Sequence, residues 1–511
     1  MKRWLNYKLM GACALLCCAP VLASIQDDVG YTQLQNQLGA STPDGTSVTV
    51  FQIEAGDDWM PDTVISQFAG KTIVDLDALP SPGISAHATG VGILFYGLAS
   101  STSPAITNIG VHSANGWIFE HLEHGTGIPD LTQRRIANHS WVGNGLFVGE
   151  VLSPTETSSL LRVSDWVSDV DELIQSYGIA NNNNLTNTAE RVLMATAFNG
   201  LNVGVTDITH AYAIVPLDTV YVAGRAGIHA VVPQGSTSNS TTIGSSLASL
   251  LVEAANSNPA WSSSTRTTRS GLVVQNAGRS ETIKAAIMAG AARTTANTAG
   301  LGNVIDYRVH AAHQTSNGLD TRYGAGQINI ARSYNILAAG EQSSLEDGGS
   351  ANIGYRGFDH DAVFGGVLGS NTVATYDLGT TAEPIDLTVS LVWHLQVAGS
   401  VIPPFNDNVM LHNLDLELID VTNGGVVAAS STSTIDNTEN IWLTLNGGTH
   451  YQLRVTKGVG QPDFMWDYSI AWTDSPETVE SNVPLPGWMF LALASLFASI
   501  FYHMTILRRR R

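Results

Sequence analysis

The chain of 511 residues carries 24 Lys and Arg against 44 Asp and Glu, a formal net charge of −20, which argues against nucleic acid as a partner. Only 13% of residues are charged, and 49 are glycine, a balance that suits a loop-rich globular protein rather than a disordered one. All three cysteines, Cys13, Cys17 and Cys18, fall within the first 23 residues, so a chain that loses that segment can use neither disulfides, nor a cysteine nucleophile, nor a cysteine-ligated zinc site.

Lys2, Arg3 and Lys8 precede an apolar run from Leu9 to Leu22 that closes on Val21-Leu22-Ala23. This is the pattern of a secretory signal peptide over residues 1–23, and at about 14 apolar residues it is short for a span of roughly 30 Å. After an N-terminal segment, 24–45, the text from 46 to 340 alternates β-like runs (VTVFQIEA, RVLMATAFN) with small-residue helical stretches (SSLASLLVEAAN, ETIKAAIMAGAAR). That alternation predicts an α/β domain with a doubly wound, mostly parallel sheet. From 346 to 475 the style becomes strands divided by turn signals (IDLTVSLVWHL, DLELIDVTNGGVVAASS, ENIWLTLNGGTHYQLRVTK, DYSIAWT), which predicts an all-β sandwich.

A polar linker and VPLPGW, 476–487, then lead to a largely apolar segment, Trp488 to Leu507, and the basic stop Arg508 to Arg511. Hydrophobic length with a basic stop makes a membrane-spanning helix with its arginines inside. The tripartite pattern resembles the sorting signals of the PEP-CTERM class, with Val483-Pro484-Leu485-Pro486 where that class has Val-Pro-Glu-Pro. The resemblance implies a sorting protease as a partner; a permanent anchor is the alternative, and both put the body outside the inner membrane. Without the seven basic residues of the two ends, Lys2, Arg3, Lys8 and Arg508 to Arg511, the body carries −27.

A serine attacks a carbonyl only if a base takes its proton, a third group orients that base and donors stabilise the oxyanion. Four segments supply candidates. Glu54 follows the strand-like VFQI; His87 opens a small-residue helix in Ala86-His87-Ala88-Thr89-Gly90-Val91-Gly92-Ile93; Asn199 follows LMATAF; and Ser246 lies in Gly244-Ser245-Ser246-Leu247-Ala248-Ser249 at an expected helix start, where developing negative charge is favoured.

In this order the segments resemble the subtilisin-like serine proteases, the subtilases. The family's histidine block, His-Gly-Thr-x-Val-Ala-Gly, keeps His, Thr and Val in HATGVGI. Its serine block, Gly-Thr-Ser-x-Ala-Ser/Thr-Pro, keeps Gly, Ser and Ala in GSSLASL. Its oxyanion asparagine resembles Asn199, its substrate-binding strand resembles Ile136 to Trp141, and Tyr323-Gly324-Ala325-Gly326 resembles a motif near the end of its catalytic domain. The resemblance spans about Val48 to Ile336 and implies a serine endopeptidase acting on protein or peptide through an acyl-enzyme. Ser246 is then the nucleophile, His87 the base, Glu54 its orienting carboxylate and Asn199 the oxyanion donor.

Glu54-Ala55-Gly56 departs from the family's Asp-Thr/Ser-Gly by one methylene, with Asp57 and Asp58 as nearby substitutes, and the common folding prosegment is missing. Those departures motivate a second reading, a catalytically inactive subtilase fold used for binding or adhesion. An esterase of the α/β-hydrolase type lacks its G-x-S-x-G elbow around Ser246. His124, in Glu120-His121-Leu122-Glu123-His124-Gly125-Thr126, imitates the histidine block without the small-residue helix after it, and HLEH lacks the i, i+4 histidine spacing of HExxH. No cofactor is required; the acidic balance and the family leave room for structural calcium, with no EF-hand loop to supply ligands.

Overall fold

A computed structural model describes residues 24–78, 82–143, 146–147, 150–181, 193–212, 214–295, 297 and 313–475. The segments expected to be a signal peptide, a sorting motif and an apolar membrane span lie outside them; among the described residues no helix is long and apolar enough to cross a membrane.

The first half is built on seven parallel strands, β1 (Thr49–Glu54), β2 (Thr72–Asp75), β3 (Asn108–Ser113), β4 (Ile136–His139), β5 (Ile174–Gly178), β6 (Leu201–Val205) and β7 (Ala230–Val232), in the spatial order β2-β3-β1-β4-β5-β6-β7. The central strands are buried on both faces, as parallel strands covered by helices must be; Val50 through Glu54 are all buried. Helices α1 (Ala86–Tyr96), α2 (Pro154–Val170), α3 (Thr237–Ser257) and α4 (Ser280–Gly290) supply the cover. Their starts are written locally. Ser85 Oγ accepts from the Ala88 N–H at the head of α1, Ser153 and Glu156 form a capping box before Pro154, and Ser236 caps α3 through the Asn239 N–H.

Register fixes which side chains share a face. Gln52 pairs with Asn138, and Asn138 with Ser176, so the three point to one side of the sheet. Gln52 Nε2 donates to Ala88 O of α1, and Asn138 Oδ1 accepts from Ser245 Oγ of α3; α1 and α3 therefore lie side by side on that face. Both begin at the carboxyl ends of the strands and run down antiparallel to them. His87 meets Glu54 at the end of β1, and Ser140, just past β4, donates to Ser238 O near the start of α3.

The second half is a sandwich of β8 (Arg356–Phe364), β9 (Val373–Thr380), β10 (Ile385–Val392), β11 (Leu414–Asp420), β12 (Val426–Ser431), β13 (Thr438–Leu445), β14 (His450–Lys457) and β15 (Trp466–Ser475). Two four-stranded antiparallel sheets, β8-β15-β10-β13 and β9-β14-β11-β12, enclose Tyr376, Trp393, Leu416, Leu453 and Trp472. The architecture is thus the expected doubly wound α/β unit followed by an all-β sandwich.

The two halves share buried polar contacts. Helix α4 is buried along its whole length; Thr282 Oγ1 meets Ser469 Oγ at 2.7 Å and Ala289 O accepts from Thr388 Oγ1. The Arg279 guanidinium touches Glu172, Glu281, His360 and Asp467, so one cation ties the sheet domain to β8 and β15.

Two local expectations fail. Helix α3 opens at Thr237, not beside Gly244, and runs 21 residues, because Ser236 supplies the cap and the small residues behind it pack within a helix. The stretch around Met194 is not a strand but a short 3₁₀ turn, Met194–Thr196, and the strand of this region follows Asn199 instead of preceding it.

Candidate active site

Glu54 ends β1 with 1% of its side chain exposed, while His87, second residue of α1, leaves 52% of its side chain in solvent. Nδ1 of His87 lies 2.7 Å from Glu54 Oε2. A carboxylate on Nδ1 fixes the ring and leaves Nε2 as its working nitrogen. The Glu54 bond raises the imidazole pKa above its ordinary value against the opposing pull of burial. Burial likewise pushes the Glu54 carboxyl up, opposed by the bonds from His87 and Gln52. Asp57 and Asp58, the nearby substitutes, are exposed, and Asp58 Oδ1 accepts from the Gly83 N–H.

Ser246 is not brought to this pair. It sits in the tenth position of α3 with no exposed surface. Its hydroxyl lies 3.1, 2.6 and 2.7 Å from those of Ser101, Thr102 and Ser103, and Ser101 and Ser103 donate in turn to Phe95 O near the far end of α1. A side chain so enclosed cannot reach a substrate carbonyl. At about 1.5 Å per residue it lies roughly 12 Å down the helix from the first turn.

The first turn of α3 opens at the carboxyl edge of the sheet, and three hydroxyls lie at it. Ser236 Oγ is spent as the cap. Thr237 is buried and its hydroxyl donates to Ile179 O and Asn181 Oδ1. Ser238 is only half-buried, and its hydroxyl makes one bond of 3.2 Å, to Ser140 O. Ser238 is therefore the reactive candidate by position and by access.

Asn199 is likewise displaced from the site. Its N–H and Nδ2 donate to Asp165, and its Oδ1 accepts from the Leu395 N–H, so it pins α2 to the sandwich. The asparagine at the carboxyl edge is Asn181, three residues past the end of β5 and exposed. Its side chain accepts from the Thr237 N–H at 2.7 Å. A backbone N–H can only donate, so the amide oxygen must face Thr237 and Nδ2 must face the other way.

His124 stands outside this arrangement, in a short turn with φ of 57° and its ring 4.0 Å from that of Phe119. Among the described residues one cluster has the spacing of a metal site, Glu281, His360 and Asp467. The Arg279 guanidinium already contacts all three, so the cation there is an arginine and the donor set does not fit calcium, which takes six to eight oxygens.

No protein-family model matches the sequence, and no curated protein sequence does. Solved structures do. The prenylagaramide maturation protease PagA is similar at 15% identity and a TM-score of 0.35, over 60% of this chain and 98% of that one. The self-cleaved protease domain of PatA is similar at 14% and 0.34, over 58% and 99%. A cold-adapted subtilisin-like serine proteinase is similar at 15% and 0.30, over 47% and 81%.

Proposed function

We propose that this protein is an exported serine endopeptidase whose catalytic group is Glu54–His87–Ser238, with Asn181 at the oxyanion site. What supports this reading is the 2.7 Å Glu54–His87 pair at the carboxyl edge of the sheet, beside the capped first turn of a helix that carries an accessible serine. Ser238 Oγ attacks the peptide carbonyl and its proton passes to His87 Nε2. Nδ2 of Asn181 and the N-terminus of α3 receive the charge on the carbonyl oxygen. The imidazolium then protonates the leaving amine, and water, deprotonated by the same nitrogen, cleaves the Ser238 ester. Residues 1–23 direct export, and the C-terminal segment holds the protein at the inner membrane until a sorting protease removes it.

The test sets Ser238→Ala beside Ser246→Ala, with casein hydrolysis and serine-directed fluorophosphonate labelling as readouts. Ser238→Ala should lower kcat by roughly 10⁴- to 10⁶-fold and abolish labelling. Ser246→Ala should keep both and lose about 1–3 kcal/mol of stability as the hydroxyls of Ser101, Thr102 and Ser103 lose a partner. Labelling that survives in Ser238→Ala would refute the assignment; a folded wild type with neither activity nor labelling would favour the binding reading.

A further inference from the structure

The family resemblance places an aspartate where this chain has Glu54, and the longer arm needs something to hold it. From the geometry we infer that Gln52 and Tyr96 form a clamp that positions Glu54 for His87. This rests on the proposed function for its catalytic meaning, though not for its chemistry.

Gln52 lies two residues before Glu54 on the same face of β1 and is fully buried. Its Nε2 donates both to Glu54 Oε1, at 2.9 Å, and to Ala88 O, at 2.8 Å. Its Oε1 accepts from Tyr96 Oη at 2.6 Å. The orientation is dictated by the partners: a carbonyl oxygen and a carboxylate can only accept, so the nitrogen faces them, the amide oxygen faces Tyr96 and the phenol must donate. Glu54 then has one oxygen for Gln52 and the other for His87, and turning the carboxylate away would strand the buried Gln52 amide donor.

The clamp extends into the histidine block. Helical side chains lean toward the N-terminus, which carries the Tyr96 ring back over Gly92, one turn earlier. A Cβ on Gly92 would lie 2.6 Å from Tyr96 Oη and 2.8 Å from a Phe68 ring carbon. Glycine at 92 is thus the condition for the phenol to reach Gln52. The phenol is buried and its pKa raised well above the ordinary value by that burial, so it stays a donor at any working pH. The chain Gly92, Tyr96, Gln52, Glu54, His87 links the middle of α1 to its own first turn by way of the central strand.

Gln52 and Tyr96 are positioning residues, and their test needs a readout that lost packing alone does not move. The full-length protein is compared with Gln52→Leu, Tyr96→Phe, the double variant and Gly92→Ala, using kcat and KM on a peptide substrate and the low-field proton resonance of His87 Nδ1–H. Each single variant should lower kcat, by about 10²-fold for Gln52→Leu as the carboxylate loses its alignment, with KM held within about twofold. The double variant should be no worse than Gln52→Leu, because Tyr96 acts only through Gln52. The His87 resonance should shift or broaden in every variant. An unchanged resonance in folded Gln52→Leu, or additive losses in the cycle, would overturn the clamp while leaving Ser238 labelling intact. A resonance that responds as expected in a protein with no peptidase activity would keep the clamp and remove the proposed function instead.

Discussion

Glu54→Asp is the conservative change that would restore the carboxylate the subtilase resemblance implies, yet here it should damage the protein. Glu54 ends a strand buried on both faces, and that strand is held by β3 on one side and β4 on the other. Removing one methylene withdraws both carboxylate oxygens by about 1.5 Å, a C–C bond length. The 2.7 Å contact to His87 and the 2.9 Å contact to Gln52 both open toward 4 Å, beyond hydrogen-bonding range. Each was a bond to a charged group, worth about 1.5–3 kcal/mol, and the vacated methylene adds about 1 kcal/mol. With partial relaxation the net loss should be roughly 2–4 kcal/mol. His87 loses its orientation by about 1 Å, for which a fall of about 10²-fold in kcat/KM is expected. Thermal unfolding and casein or peptide hydrolysis measure the two effects. A Glu54→Asp protein as stable and as active as wild type, or more active, would refute the claim that β1 is too firmly held to follow a shorter side chain.

Two asparagines separate site from scaffold: Asn181→Ala should cost about 10²–10³-fold in kcat, whereas Asn199→Ala should keep kcat near wild type and lower the unfolding temperature. The raised His87 pKa sets the acid limb of activity above pH 6.5, since the base must be neutral; Glu54→Gln should move that limb down in a pH–rate profile. For stability the same shift means that the contribution of the His87 proton is fully present below the unfolded value of 6.5 and is lost as pH rises through the higher folded pKa, which urea titrations at stepped pH can follow. Arg279→Met leaves Glu172, Glu281 and Asp467 without their shared cation and should cost about 3–5 kcal/mol, seen in calorimetry as a lowered transition.

What could be read in the sequence was whatever had periodicity or an unmistakable local pattern. VFQIEA became β1, HATGVGI became α1 with its histidine at the head, and the alternating segments after 346 became sandwich strands. What escaped was phase along a helix. From Ser236 to Ser249 the chain runs Ser, Thr, Ser, Asn, Ser, Thr, Thr, Ile, Gly, Ser, Ser, Leu, Ala, Ser, and two windows eight residues apart both offer a serine among small residues. Gly244 drew the reading to the second window because glycine leads the family block, and that window lies in the buried middle of α3. The signal that decides between them is the start of the helix: β7 ends at Val232, Pro233 follows at once, and Gly235 with Ser236 makes the turn and cap. Asn199 was misplaced for a related reason, since it precedes its strand while Asn181 follows one, and only the pairing of β5 with β4 and β6 places Asn181 at the carboxyl edge.

A second carboxylate–imidazole pair differs from the first in ways that bear on the proposed role of Glu54–His87. Asp77 Oδ1 lies 2.7 Å from His112 Nδ1, the same distance as in Glu54–His87, and Asp77 also accepts from the Ser113 N–H. Those bonds hold its carboxyl below the ordinary range in spite of burial. The histidine, however, pairs in register with Ile53 and so points to the opposite face of the sheet. There its side chain is 6% exposed and packs against the rings of Phe51, Trp117 and His121. The carboxylate–imidazole distance is therefore the same in a buried pair and in one whose imidazole is half in solvent. What separates them is one residue of register: Ile53 and His112 face the packed side, while Glu54 faces α1 and α3, where an imidazole can keep one nitrogen in water and a capped helix start can meet developing charge.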